Sequence, residues 1–409
     1  MKLRVAVVFG GRSTEHEISI ISALQAVQSM DHEKYEVIPV YMTKDCEFYT
    51  GEGIGEIESY RRIPELLQKA ERAVWIREGG RISLYRYPMK KFGSSLITGV
   101  DVVFPIVHGT NVEDGTLQGY FGTLNIPYAG CDVCSSALGM NKYAMKAVLE
   151  DKGIPVLPCS LYTWKDYEDT DALVRRIEDR FAYPVIVKPL NLGSSIGISK
   201  AKDRASLLDA LELAFEFTRT VLVEPAITSL REINCAVLGD YENAEASECE
   251  EPLNAEDILT FQDKYMSGGK GGAKTGAKTA DAGAAGGSKS GMASLQRKLP
   301  ADLTEEQRST IRKMAVDTFQ ALGCSGVSRI DFMIDRDTDK IYVNEINTIP
   351  GSLSFYLWEP LGISYPQLLD RMIELALKKQ REEEKMVFTF ESNVLEGIKL
   401  GGSKGKLGK

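Results

Sequence analysis

Histidine is almost missing from this sequence: His16, His32 and His108 are the only three in 409 residues. A metal centre built from several imidazoles is therefore excluded. Cysteine is sparse as well. The seven cysteines are an odd number without framework spacing, and although Cys131 and Cys134 form a C-x-x-C, no second pair or histidine lies at zinc spacing. Reduced thiols, structural or incidental, are expected ahead of a metal site. No apolar run approaches the ~20 residues of a membrane span, and the start MKLRVAVVFGG has no signal-peptide cleavage pattern. That predicts a cytoplasmic location and no membrane insertion. Positive charge is in deficit, 49 Lys and Arg against 58 Asp and Glu, a net charge of −9. Nucleic acid and anionic membrane are thus disfavoured as main partners. Two nucleotide-binding signatures are also absent: Gly-Gly-Arg-Ser-Thr-Glu after the first strand is not G-x-G-x-x-G, and the loop at 189–197 is not G-x-x-x-x-G-K.

What is there reads as a chain of two or three domains, with ordinary apolar and charged fractions of 43% and 26%. A strand over 3–9 leads to a helix starting near Ser13, with Thr14-x-x-Glu17 as its capping box. Residues 35–41 read as a second strand, 64–72 as a helical patch, and 82–87 as a further strand. The buried run 102–107 ends at His108-Gly109 before the polar loop 110–116. Ligands in open α/β sheets gather at such strand ends, so Glu113-Asp114-Gly115-Thr116 is either a ligand loop or a solvated one. A helix is expected over 141–152, then a strand over 185–188. In the loop that follows, Ser194, Ser195, Gly193 and Gly197 can wrap phosphates beside the point charge of Lys188. A strand over 220–224 precedes Arg231-Glu232 and another strand at 233–238. Residues 268–291 contain only Gly, Ala, Lys, Thr, Ser and a single Asp; such a tract cannot bury a core and is expected to be flexible. Thr304 with Gln307 caps a helix that Gly323 ends.

The stretch 327–351, VSRIDFMIDRDTDKIYVNEINTIPG, carries the densest chemistry. It reads as a hairpin with strands at 327–334 and 340–346. Side chains alternate along a strand, so Arg329 and Asp331 share one face, with Ile330, Phe332 and Ile334 on the other. On the return strand, Glu345 and then Asn347 are expected on a face with Ile341 and Val343. In-register pairing brings one guanidinium, two carboxylates and an amide to one patch, which suits a hard cation and developing negative charge.

R-x-D followed by N-E-x-N-T-x-P-G resembles the metal and phosphate end of ATP-grasp ligases, specifically the D-alanine–D-alanine ligases. The resemblance runs to about residue 380, through GG-x-S-x-E-x-E-I-S, HG-x-x-x-EDGT-x-QG, NK, VKP-x-x-x-GSS-x-G and KY in the family's order. It implies an α/β (α+β) fold of three domains, the ATP-grasp fold with an N-terminal Rossmann-like domain. The bounds expected are 1–140, 141–227, 228–385 with the insert 268–291, and a tail at 386–409. The activity implied is ATP-dependent joining of two D-alanines for peptidoglycan synthesis. Alternatives are a ligase for another second amino acid, such as D-serine, or an inactive nucleotide-binding scaffold.

By position, Glu15 resembles the carboxylate that holds the first ammonium group, and His108 the histidine near that site. Lys142 and Lys188 resemble the lysines on ATP phosphates, with Ser195 and Gly197 in the phosphate loop. Ser194 resembles the serine linking Glu15 to Tyr265. Glu224, Ala226 and Ile227 resemble the adenine hinge, and Glu232 the ribose ligand. Lys264 and Tyr265 resemble a mobile lid. Asp331, Glu345 and Asn347 resemble the ligands of two Mg2+ ions, with Mn2+ as a substitute, and Arg329 and Gly351 the groups at the tetrahedral centre. Where the family usually has a serine for the second substrate's carboxylate, this chain has Tyr356, with Ser352 and Ser354 nearby. The partners implied are ATP and D-amino acids, and a homodimer is compatible.

Overall fold

The computed structural model describes residues 2–193, 196–253, 297–389, 392, 393 and 396. Ser194, Ser195, Lys264, Tyr265 and the tract 268–291 lie outside the described residues. Among the described residues the strands form three sheets.

The first sheet holds β1 (Leu3–Gly10), β2 (Tyr35–Met42), β3 (Phe48–Thr50), β4 (Glu71–Glu78), β5 (Arg81–Arg86), β6 (Leu96–Val100) and β7 (Val102–Pro105), in the order β6-β5-β4-β3-β2-β1-β7. β1 pairs in parallel with β2 and β7. From Val5 on, β1 is buried, as is all of β7, as expected of apolar runs in a parallel sheet. The carboxyl ends of these strands lie on one edge. The capping box expected at Thr14 is not formed. Gly10 and Gly11, both at φ +92, keep the chain turning, and the helix starts only at His16 and runs to Ser29. Glu15 is its N-cap residue, and its N–H is taken by Ser13 Oγ at 3.1 Å.

The second sheet, ordered β10-β9-β11-β8, is built from β8 (Ser160–Thr163), β9 (Val185–Pro189), β10 (Ser199–Ala201) and β11 (Thr220–Pro225). The third, ordered β14-β13-β12-β15-β16, contains β12 (Leu230–Gly239), β13 (Ala244–Pro252), β14 (Arg297–Lys298), β15 (Gly326–Asp335) and β16 (Lys340–Asn347). Arg231 and Glu232 fall inside β12 and not ahead of a strand, because their backbones pair with Ile334 and Met333. The Thr304–Gln307 capping box is present at the start of helix Glu305–Ala321.

The hairpin β15–β16 differs from a regular ladder in one place. Asp331 pairs with Glu345 but Phe332 pairs with Val343, which leaves Asn344 as a bulge residue. A bulge reverses the facing of every later residue. Ile341 and Val343 therefore join Ile330, Phe332 and Ile334 in the apolar core, where they were expected beside Glu345. The carboxylate face is left to Asn344, Glu345 and Asn347.

Each sheet packs its own core. Helix Tyr365–Glu383 and the turn after Gly351 join the first sheet's core through Leu353, Leu357, Trp358 and Leu369. In that turn Ser352, Leu353 and Ser354 have φ of 50°, 53° and 48°. Left-handed backbone costs an L-residue about 1–2 kcal/mol. Complete burial of Leu353 and the Ser352 contacts described below hold the turn in place.

Candidate active site

One cavity of about 940 Å³ lies where the three sheets meet, lined from Glu15 and His108 through Lys142, Lys188 and Glu224 to Arg329, Glu345 and Gly351. Its walls carry four distinct groups of side chains.

The first is a lysine cage. Glu224, at the end of β11 and 1% exposed, accepts from Lys188 Nζ at 2.5 Å through Oε1 and from Lys146 Nζ through Oε2. Burial alone would push this carboxyl up, but the charges of Lys188 and Lys146 override it and hold the group at about 2. Lys188 also donates to the bulge residue Asn344 Oδ1 at 3.1 Å, and Glu224 keeps its pKa up against the pull of burial. Lys142, on helix Lys142–Asp151, donates to Leu192 O at 2.6 Å and lies 3.7 Å from Glu345 Oε2. Burial lowers its pKa. Removing one member of such a buried cluster typically costs about 3–5 kcal/mol, since an unpaired charge stays behind. Glu224 thus holds two lysines with its carboxylate, and Ala226 and Ile227 line the cavity just beyond it. The Ala226 N–H is already given to Pro184 O at 2.9 Å. Gly197 (φ +70) leaves room that a Cβ would take from Pro189 and Phe217.

The second group is the hairpin patch. Arg329 grips Asp331 with both arms, Nε to Oδ1 at 2.6 Å and Nη2 to Oδ2 at 2.8 Å, and Asn347 Nδ2 adds a bond to Oδ2 at 3.0 Å. Glu345 is cross-strand from Asp331 on the same face. All four residues named from the sequence are therefore together, and Glu232 lines the same cavity on the neighbouring strand.

The third group is the edge of the first sheet. Glu15 sits at the helix N-terminus, where a carboxylate is favoured, and is 8% exposed. A Cβ on Gly109 would come within 2.7 Å of its Oε2 and one on Gly193 within 3.1 Å, so two glycines leave its carboxylate room. Glu113, which the sequence left between ligand loop and solvated loop, is buried. Its carboxyl accepts from the N–H of Gly109 and of Ile349, each at 2.9 Å, and from Thr348 Oγ1. Burial first, then the charge of Glu15, raises it to about 8. His108 is buried too: Nδ1 lies 2.8 Å from Ile349 O and Nε2 3.0 Å from Ser22 Oγ. A carbonyl only accepts, so Nδ1 carries the proton and Nε2 accepts from Ser22. Burial drops its pKa to about 4.

The fourth group follows Gly351. Tyr356 lines the cavity, but its hydroxyl donates to Glu250 Oε1 at 3.0 Å. Ser352, expected at the substrate, faces away: its hydroxyl donates to Gln25 Oε1 at 2.7 Å and its N–H to Ser22 Oγ at 3.0 Å. The left-handed turn swings that side chain toward helix His16–Ser29. Sequence reasoning missed Lys146, Ser22, Asn344, Glu250 and Arg297. Two of them had a signal: Lys146 lies four residues after Lys142 and so on the same helix face, and Asn344 opens the N-E-x-N-T-x-P-G motif.

Known proteins resemble this chain along nearly its whole length. Residues 4–131 match the family described as D-ala D-ala ligase N-terminus, and residues 148–285 and 288–374 match D-ala D-ala ligase C-terminus. A D-alanine–D-alanine ligase of Thermosipho melanesiensis is 39% identical over 399 residues, 98% of this chain and 99% of the relative. That of Acetivibrio thermocellus is 38% identical, covering 93% and 97%. Among solved structures, the D-alanine–D-alanine ligase of Coxiella burnetii superposes with a TM-score of 0.75 at 31% identity, covering 94% of this chain and 96% of that one. The VanG D-Ala:D-Ser ligase of Enterococcus faecalis gives 0.73 at 31%, covering 92% and 100%.

Proposed function

This chain belongs to the D-alanine–D-alanine ligase family, and on that premise we propose that it joins two D-alanines through an acyl phosphate while ATP is split to ADP and phosphate. Its fold is that of the ATP-grasp enzymes, and among the described residues no helix is long and apolar enough to cross a membrane. One observation carries the mechanism: the lysine cage and the hairpin patch meet in the cavity that Glu15 and Gly351 also line, with Lys142 3.7 Å from Glu345 and Lys188 bonded to Asn344.

Each group then has a task. Glu15 receives the ammonium group of the first D-alanine, in the space kept by Gly109 and Gly193. Lys142 and Lys188 hold phosphate oxygens, with Lys188 kept protonated by Glu224. Glu224 acts on the lysines, while Ala226 and Ile227 border the adenine and Glu232 the ribose. Asp331, Glu345 and Asn347 form an oxygen-donor set that fits a hard cation which keeps phosphate and water ligands. Mg2+ held there would neutralise charge on the transferring phosphoryl group. The first D-alanine's carboxylate attacks the γ-phosphate, and the second molecule's amine then attacks the acyl carbon. Two of the Arg329 donors lock onto Asp331; the rest of its guanidinium and the Gly351 N–H stabilise the oxyanion, worth ~3 kcal/mol per donor in comparable sites. Residues 264 and 265 would supply the lid that keeps water from the acyl phosphate. The reaction needs no protein nucleophile.

The test offers D-alanine, D-serine, D-lactate and glycine in turn with ATP, and weighs the products. The expected result is D-alanyl-D-alanine, with phosphate released only when D-alanine is present. Phosphate release without amino acid, or no dipeptide from D-alanine, would overturn the reading.

A further inference from the structure

Resting on the ligase reading, we propose that Arg297 anchors the α-carboxylate of the acceptor amino acid. The family resemblance puts a hydroxyl at position 356 in that role. Here the hydroxyl is committed elsewhere. A tyrosine has one O–H to give, and that of Tyr356 goes to Glu250 Oε1 at 3.0 Å. The same carboxylate oxygen accepts from Asn234 Nδ2, also at 3.0 Å, so the tyrosine is fixed from below.

What Tyr356 presents to the cavity is its ring, and Arg297 lies over it, with the guanidinium carbon 3.9 Å from the ring centroid. Arg297 Nη1 is 3.2 Å from Glu250 Oε2. Ring and carboxylate together fix the plane of the guanidinium, and a planar fork of donors matches a carboxylate better than a hydroxyl does. Arg297, Arg329, Tyr356 and Gly351 line one cavity, so a carboxylate at Arg297 is offered beside the groups assigned to the tetrahedral centre. The Arg297 side chain is 14% exposed and that of Glu250 4%. Water screens such charges weakly, so a carboxylate there gains more than at the surface. The paired charges of Arg297 and Glu250 also suit an acceptor that arrives as a zwitterion. A competing role for Arg297, joining the short β14 to β13 through Glu250, would leave acceptor choice unaffected.

An internal competition separates the two. D-alanine serves as common donor, D-alanine and D-alaninamide compete as acceptors in one tube, and the two products are weighed. Their ratio does not depend on how much enzyme is folded. The wild type should strongly favour the free carboxylate. Arg297→Ala should reduce that preference roughly 30- to 100-fold, the worth of a hydrogen bond to a charged group. Arg297→Lys, which keeps charge but loses the fork, should fall between. An unchanged ratio in either variant overturns the proposal, as does loss of both products in both variants. A wild type that makes no dipeptide overturns the ligase reading itself.

Discussion

Acid should find His108 before it finds most of the site. The imidazole titrates near 6.5 when unfolded and at about 4 in the folded protein, where burial disfavours the cation. Charging it would also spoil the bond in which Nε2 accepts from Ser22 Oγ, and would add a positive charge near Arg329. A group depressed in this way makes a contribution that is whole above about 6.5 and is lost as pH falls toward 4, because the unfolded chain binds the proton first. Between pH 7 and pH 5 the loss comes to about 2 kcal/mol. Glu113 works against it. Its carboxyl, raised to about 8 from 4.5, favours the folded state fully below 4.5 and loses that contribution as pH rises toward 8. The two windows overlap, so the pH response of the wild type alone reveals neither.

Subtraction separates them. His108→Asn keeps an N–H for Ile349 O but no longer titrates. The difference in unfolding free energy between wild type and variant should shrink by about 2 kcal/mol from pH 7 to pH 5. A direct assay is available because the chain has only three histidines. In a long-range proton–nitrogen spectrum of the imidazoles, the signal that vanishes in His108→Asn should show a neutral ring protonated on Nδ1. It should hold that form to about pH 4. A midpoint at 6.5 or above, or a ring protonated on Nε2, would refute the argument that His108 is a neutral strut between helix His16–Ser29 and the Ile349 turn.

Two further predictions concern the hairpin and the turn that follows it. Glu345→Gln conserves volume on a polar face, so the nucleotide-free melting temperature should move by only a few degrees, while turnover should fall at least 100-fold and the Mg2+ requirement should rise; near-normal turnover would sink the ligand assignment. Ser354→Gly relieves left-handed backbone worth about 1–2 kcal/mol and removes a buried hydroxyl that has no hydrogen-bond partner among the described residues, against about 0.5–1 kcal/mol of added unfolded-state freedom, so melting should rise by a few degrees, with a smaller rise for Ser354→Ala. A lower melting temperature for Ser354→Gly would mean that the turn is not strained.

The contacts that local pattern alone made legible share one property: their partners are close in the chain. Arg329 and Asp331 are two apart, and the Thr304 cap and its Gln307 are three apart. Strand alternation and capping chemistry act over that range, so the pattern shows on the page. Asn344 marks where alternation stops being a guide. A bulge inserts one residue without a composition signal, and here it decides which of Val343 and Glu345 faces the cavity. Reading on from Ile341 by strict alternation puts Glu345 on the apolar face, though the chemistry of N-E-x-N requires the opposite.

The residues that were missed or left open are held by partners far away. Ser22, which was missed, meets Ser352 across 330 positions, and Glu113, left between ligand loop and solvated loop, meets Ile349 across 236. No local preference encodes such contacts; they exist because the first sheet's core also packs Leu353, Leu357 and Trp358. That packing has a consequence for the chemistry. The Ile349–Gly351 turn is gripped from the first sheet's side by a neutral imidazole and a carboxyl, while its following residues are bent into left-handed backbone. The Gly351 N–H proposed for the oxyanion therefore takes its position from His108 and Glu113 as much as from the hairpin that precedes it. Residues with no contact to the reacting atoms set the geometry at which those atoms meet.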